Sequence, residues 1–208
     1  YGPGVITGGG GTQYGRGNFL GQVEFMASPT TTYTWVGTPQ NRFNVKLAPI
    51  GLTIGTYFDF GSLLPPPPSL PAGFSAPQMG ITGASSGFMH GTEAKFGLDK
   101  KGKPKKFSFG VGHVSASAIA GYNILITNKL RCQGRQEFGL NKWYMQGNAY
   151  GKVSAKGQLF GFGFGPIGLS AYASLQTPNP TYVAGDVTIN LPLNNTYDFA
   201  FSFGESCT

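Results

Sequence analysis

The sequence predicts an all-β protein, an antiparallel sandwich or barrel-like domain with an extended Gly-rich N-terminal arm. Three observations lead there. Glycine is abundant, 34 of 208 residues, and in a helix each one costs about 1 kcal/mol relative to Ala. The intervening segments are rich in aromatic and β-branched residues, bounded by glycines and 15 prolines, which is strand and turn chemistry. Several segments alternate with period two. Charged residues make up only 11% of the chain but hydrophobic ones 40%, so a packed structure rather than disorder is expected.

Tyr1 to Gly17 is dominated by glycine, with Val5, Ile6 and Thr7 as its one apolar patch. Such a segment builds no core of its own. It reads as an arm, or as a strand that pairs with something else. The rest, residues 18–208, reads as one β domain. Asn18 to Met26 alternates through Phe19, Gly21, Val23 and Phe25. Arg42 to Leu47 puts Phe43, Val45 and Leu47 on one face and Arg42, Asn44 and Lys46 on the other. Ala48 to Gly51 reads as a hairpin loop leading into Leu52 to Phe60. Pro65 to Pro68 opens a Pro-rich, then Gly/Ser/Ala-rich crossing segment at about 64–91, stiff at its start because consecutive prolines hold polyproline II geometry.

Strands are expected again at Phe107 to Ala118, Tyr122 to Thr127, Trp143 to Ala155, Leu159 to Gly165, Gly168 to Leu175, Tyr182 to Leu191 and Thr196 to Phe203. The last places Tyr197, Phe199, Phe201 and Phe203 on one face. Gly147, Ala149 and Gly151 stand where a large inward residue is normal, which lets another sheet or an aromatic side chain come close.

Site chemistry is sparse. The formal net charge is +7, and Lys100, Lys101, Lys103, Lys105 and Lys106 cluster around Gly102 and Pro104. No aromatic residue is interleaved with them, so a solvated turn is expected rather than a nucleic-acid surface. The eight acids, Glu24, Asp59, Glu93, Asp99, Glu137, Asp186, Asp198 and Glu205, form no local carboxylate pair of the kind glycosidases use. Gly163 to Gly168 fits G-x-G-x-x-G but holds Pro166 and precedes no helix pattern. No nucleophile elbow, zinc-protease or P-loop pattern occurs. No enzyme, cofactor or metal is expected.

Asn194 begins the one sequon and is a candidate glycosylation site. Trp143 and Tyr144 are candidates for stacking on a sugar, or for a strand face. Cys132 and Cys207 permit one bridge, about 4 kcal/mol by the chain-entropy model, or stand as free thiols; His90 and His113 lack zinc spacing to them. The chain opens at Tyr1 with no signal-peptide pattern, so it reads as processed or as a piece of something longer. No apolar run reaches the roughly 20 residues of a membrane helix.

A resemblance rests on several motifs: Cys132-Gln-Gly134, Asn141-Lys-Trp143-Tyr144-Met-Gln-Gly147-Asn-Ala149-Tyr150, Ala173 through Pro178-Asn179-Pro180 to Gly185, and Phe203-Gly204-Glu-Ser-Cys207. With Gly55-Thr-Tyr57-Phe58 and the Pro-rich stretch, they resemble the C-terminal β-rich region of large secreted or cell-surface proteins of Bacteroidota type. The resemblance implies an extracellular or cell-surface location and a Cys132–Cys207 disulfide, and carries no known activity. It covers most of Asn18 to Cys207 and excludes the Gly-rich arm.

The function expected is a structural subunit of an extracellular filament or surface layer. Copies of the chain would assemble head to tail, Val5, Ile6 and Thr7 adding a strand to a neighbour's sheet edge. A monomeric adhesin or glycan-binding module is the first alternative. An outer-membrane β-barrel is the second; the internal prolines, the polyproline run and the expected disulfide weigh against it, so neither a membrane nor nucleic acid is expected as a partner.

Overall fold

A computed structural model describes residues 4–14, 17–47, 51–68, 70–71, 74, 86–99, 103–128 and 139–206, with side chains from residue 23 onward except that of Asn194. The strands are β1 (Gly4–Tyr14), β2 (Gly17–Ala27), β3 (Thr32–Val36), β4 (Phe43–Leu47), β5 (Leu52–Gly61), β6 (Gly87–Phe96), β7 (Lys106–Phe109), β8 (Gly112–Thr127), β9 (Tyr144–Leu159), β10 (Phe162–Thr177), β11 (Tyr182–Leu191) and β12 (Asn195–Gly204). A short 3₁₀ turn, Pro192–Asn194, links the last two. The all-β expectation holds.

All twelve strands belong to one antiparallel sheet, in the order β1-β2-β3-β5-β6-β8-β9-β10-β11-β12, with β4 beside β2 and β5 and β7 beside β8. The sheet is continuous, with β1 and β12 at its two ends. It is an up-and-down meander. β3 and β4 share one strand position, because both pair with β2 and with β5 in the same direction. β6 and β7 likewise lie end to end along β8. Gly97, at φ 66°, opens the excursion between them, and the Leu98–Pro104 bridge closes it.

The sheet is curved. Its interior side chains reach over intervening strands: Tyr57 of β5 donates to Asn123 of β8 at 3.0 Å, and Tyr150 of β9 donates to Glu93 of β6 at 2.8 Å. Strand parity sorts residues sharply between the two faces. Tyr57 and Asp59 are 0% exposed, whereas Phe58 and Phe60 between and beyond them are 43% and 44% exposed. Tyr150 is 5% exposed and Val153 is 49% exposed. The concave face is the buried one.

Several expectations need correction. Val5, Ile6 and Thr7 lie within β1 and pair with Met26, Phe25 and Glu24 of β2 in the same chain. The Gly-rich segment is therefore the first strand of the sheet, not a detached arm. β3 is a strand for which the sequence gives no expectation; β6 begins inside the expected crossing segment, because its glycines, Gly87 and Gly91, hide the alternation of Phe88, His90 and Ala94. The expected hairpin loop at Ala48 to Gly51 joins β4 to β5, which do pair, though residues 48–50 lie outside the described residues. Phe107 to Ala118 is broken by the turn at Gly110 and Val111, and β8 then runs unbroken to Thr127. β10 is one strand with a register shift between Phe164 and Ile167. Gly147, Ala149 and Gly151 sit on the outer face, not the inner one, because their even-numbered neighbours Tyr144, Gln146 and Tyr150 are the buried set.

Candidate functional site: a polar concave face beneath a proline strap

Register carries polar side chains into rows across the concave face. One row runs Tyr57, Gly91, Asn123, Asn148, Ser174. The next runs Glu93, Gly121, Tyr150, Tyr172, Asp186. The glycine in each row is what lets a tyrosine lie down across a strand. A Cβ on Gly91 would stand 2.6 Å from Tyr57 Cε1, and one on Gly121 would stand 2.7 Å from Tyr150 Oη.

These rows join into a hydrogen-bonded network. Arg42 leaves the insertion between β3 and β4 and donates from Nη2 to Asn123 Oδ1 at 3.2 Å. Its guanidinium lies over the Tyr57 ring, 5.1 Å from the centroid, a cation–π arrangement. Asn123 Nδ2 donates to Asn148 Oδ1 at 2.9 Å. Glu93 takes the Tyr150 hydroxyl on one oxygen and pairs with Lys95 at 2.6 Å on the other. At the far end of the sheet, Asp186 and Asp198 face an open cavity of about 530 Å³ with Tyr172, Tyr182, Thr188 and Ser202.

Above this face lies the chain that follows β5. Trp35 Nε1 donates to Leu63 O at 3.1 Å, and Gln40 Nε2 donates to Pro66 O at 3.2 Å. Leu64, 6% exposed, is buried against Tyr57, Met89 and Leu125. Phe74 then meets Tyr150 and Tyr172, with ring centroids 5.6 and 6.4 Å away. Pro65 to Pro68 offer no N–H, so this strap crosses the face without joining the sheet.

The outer face is the chemical opposite. Every Asp, Glu and Lys within β3–β12, namely Lys46, Asp59, Glu93, Lys95, Lys106, Lys152, Lys156, Asp186 and Asp198, has the parity of the concave face. The outer parity carries mostly Phe, Leu, Val, Ile, Ala and Gly. Outward aromatic residues are spread along the strands from end to end. Phe109 and Phe162 lie beside the start of β8 at Gly112, and Phe60 and Phe88 lie level with its Ile126. Between these ends Phe58, Phe96, Tyr122, Phe199 and Phe201 also face outward, beside a shallow hollow where Ala94, Ala118, Ala120, Gly151 and Ala171 lie between Leu52, Phe96, Val153 and Leu169. Outer aromatics also lie down on glycine: Phe164 over Gly157, and Phe201 over Gly185.

The residues singled out by sequence are scattered. Cys132 and Cys207 lie outside the described residues. Asn194 ends the 3₁₀ turn between β11 and β12. Trp143 sits in the turn before β9, bridged to Leu140 and half exposed. Of the lysine cluster, Lys100 and Lys101 lie outside the described residues; Lys103 and Lys105 are exposed in the excursion after β6, and Lys106 begins β7. The G-x-G-x-x-G stretch lies within β10 with no helix after it. The network residues Arg42, Tyr57, Glu93, Asn123 and Tyr150 do not stand out in the sequence. Their signal is the alternation of Tyr, Asn, Gln and charge against aliphatic residues, legible as two faces but not as inside and outside. Among the described residues, no three of His, Cys, Asp and Glu gather into a metal-binding group, and no helix is long and apolar enough to cross a membrane.

No family model, curated protein or solved structure matches the chain.

Proposed function

We propose that this chain forms the wall of a membrane-spanning β-barrel of a bacterial outer membrane, with the concave polar face as its lumen. The observation that carries this reading is the sorting of charge: nine Asp, Glu and Lys residues in β3–β12 share the inner parity and none takes the outer one. A water-soluble sheet places its charges on the exposed face and its Phe and Val inside. Here Phe58, Phe60, Val153, Leu169, Phe199 and Phe203 are exposed, and exposed apolar side chains gathered on one face mark an interaction or membrane surface.

Dimensions support the same reading. Gly112 and Ile126 are fourteen residues apart along β8, about 48 Å of strand. At the roughly 40° tilt of membrane barrels this spans about 36 Å. The outward apolar stretch between those two residues is then long enough for a hydrocarbon core of about 30 Å. The sheet has ten strand positions, an even number, as bacterial single-chain barrels have. β1 and β12 therefore run in opposite directions, so their edges can pair as antiparallel neighbours. Hydrocarbon admits no open sheet edge, so the reading requires both edges to be paired in the membrane.

The proline run, which weighed against a barrel in the sequence, lies on the concave face and leaves the outer face free of it. Filament assembly through the N-terminal segment loses its docking strand, since that strand is already paired with β2. A cell-envelope location accords with the resemblance to surface proteins. The test is refolding into phosphatidylcholine vesicles followed by flotation and protease digestion. Co-flotation with a protected fragment that spans several strands supports the reading. A dispersed or filamentous protein that ignores vesicles in detergent-free buffer overturns it.

A further inference from the structure

We infer that the concave face holds a site for multiply charged anions, such as phosphorylated solutes, built from Lys95, Lys106, Lys152 and Lys156 over a floor of serine hydroxyls. It rests on the barrel reading above for one consequence only, an anion preference of the lumen. The site itself stands on strand register.

Four adjacent strands bring the lysines together. Lys95 of β6 and Lys152 of β9 flank Ile119 of β8 in one row. Lys106 of β7 and Lys156 of β9 flank Ser115 of β8 in another. Each pair is two strand spacings apart, about 10 Å between backbones, and the two rows lie about 13 Å apart along the strands. The flexible four-carbon stems let the ammonium groups lean over the space between them. That space is floored with hydroxyls. Ser117 and Ser154, paired midway between the rows, meet at 3.0 Å, and Ser115 lies between Lys106 and Lys156. Ammonium corners supply charge-assisted hydrogen bonds to anionic oxygens, and serine hydroxyls can donate to the same oxygens.

The charge of this patch is not cancelled. Among the described residues, Lys95 alone of the four is ion-paired, with Glu93 at 2.6 Å. Asp99, in the excursion after β6, turns Oδ1 to the Lys103 N–H at 2.8 Å. Asp198 shares a row with Lys152, but Ser170 and Thr188 stand between them, three strands away. Lys106 and Lys156 are exposed, and the Lys95 side chain is 44% exposed, so the ammonium groups are open to solute. Lys46 extends the row of Lys95 across Thr53. Like charges gathered on one concave face repel one another and focus a positive potential there, which an anion relieves. Chloride engages one corner at a time, whereas an anion with several charged oxygens engages two or more. Lysine and arginine lining is what anion and phosphate pores use.

Pyrophosphate is the probe, titrated calorimetrically into the intact, detergent-solubilised chain at low ionic strength, where screening is least. Saturable binding is expected. Lys106→Gln combined with Lys156→Gln is expected to weaken it on the order of tenfold, the worth of one lost charged contact. Lys103→Gln combined with Lys105→Gln removes the same charge from the exposed excursion and is expected to weaken it less than about twofold. Both pairs are exposed, so unchanged urea midpoints are expected to show that the variants fold. Absence of saturable binding, or equal weakening by the two pairs, overturns the site. In planar bilayers under a potassium chloride gradient, the intact chain is expected to pass chloride in preference to potassium, and the Lys106/Lys156 variant to lose that preference. Pyrophosphate binding without conductance sustains the site and overturns the barrel reading. Conductance with the same selectivity in both proteins overturns the place of the site in the lumen.

Discussion

Tyr150 of β9 lies flat across Gly121 of β8 and delivers its hydroxyl to Glu93 of β6 at 2.8 Å. A Cβ on Gly121 would meet Tyr150 Oη at 2.7 Å and the carbonyl oxygen of Thr92 at 2.8 Å. Three adjacent strands are thus tied through the absence of one methyl group. Tyr57, Gly91 and Asn123 repeat the arrangement one row away.

Gly121→Ala is expected to cost about 1–3 kcal/mol through forced displacement of the tyrosine and backbone. Tyr150→Phe, which leaves a buried Glu93 oxygen without its donor, is expected to cost about 1–3 kcal/mol. Because both changes act on one contact, Gly121→Ala combined with Tyr150→Ala is expected to cost less than the two apart. Urea unfolding of the detergent-solubilised protein measures all of these. Gly163, near the start of β10, has nothing within 4 Å of where an added methyl would stand. It is the control, and its change to Ala is expected to be neutral.

Charge on the two faces is expected to act oppositely. Leu169→Lys places an ammonium on the outer face and is expected to weaken membrane insertion by about 2–4 kcal/mol. Lys152→Met removes a charge from the neighbouring inner position and is expected to leave insertion nearly unchanged. Partitioning between vesicles and urea solution reads the difference, and equal effects from the two substitutions would remove the basis for assigning faces.

The two cysteines lie outside the described residues, but Gly139, seven residues after Cys132, and Glu205, two before Cys207, both reach one turn. Gly139 donates to Asn179 O at 2.8 Å, and Glu205 donates to Thr181 O at 3.3 Å, both at the turn between β10 and β11. A Cys132–Cys207 bridge is proposed on that ground and on the sequence resemblance. Peptide mapping without reductant is expected to find the cross-linked pair, and reduction is expected to lower stability by about 4 kcal/mol. Recovery of both as free thiols from protein isolated under oxidising conditions would refute the pairing.

Period-two alternation is visible to the eye, so β4, β5, β11 and β12 are legible in sequence nearly to their ends. Alternation is silent about which face is inside. Tyr197, Phe199, Phe201 and Phe203 share one face in the sequence, and register with β11 makes that face the outer one. β6 is hidden for a different reason: Gly87 and Gly91 occupy inner positions over which Ile126 and Tyr57 press, and such glycines resemble loop composition. The N-terminal strand is hidden by the same effect, with Gly8 to Gly11 paired to Val23, Gln22, Gly21 and Leu20. The polar network is illegible because Arg42, Glu93 and Asn123 are separated by tens of residues and meet only through register.

The central claim is that the outer face meets hydrocarbon and the concave face meets water. Nitroxide labels placed singly at residues 148 to 155 of β9, in protein refolded into vesicles, test it most directly through collision with oxygen and with a water-soluble nickel complex. The account predicts strict alternation, with labels at Ala149, Gly151, Val153 and Ala155 exposed to oxygen and shielded from nickel, and labels at Asn148, Tyr150, Lys152 and Ser154 shielded from lipid. Nickel access at Val153 equal to that at a solvent loop such as Gly110 would contradict it.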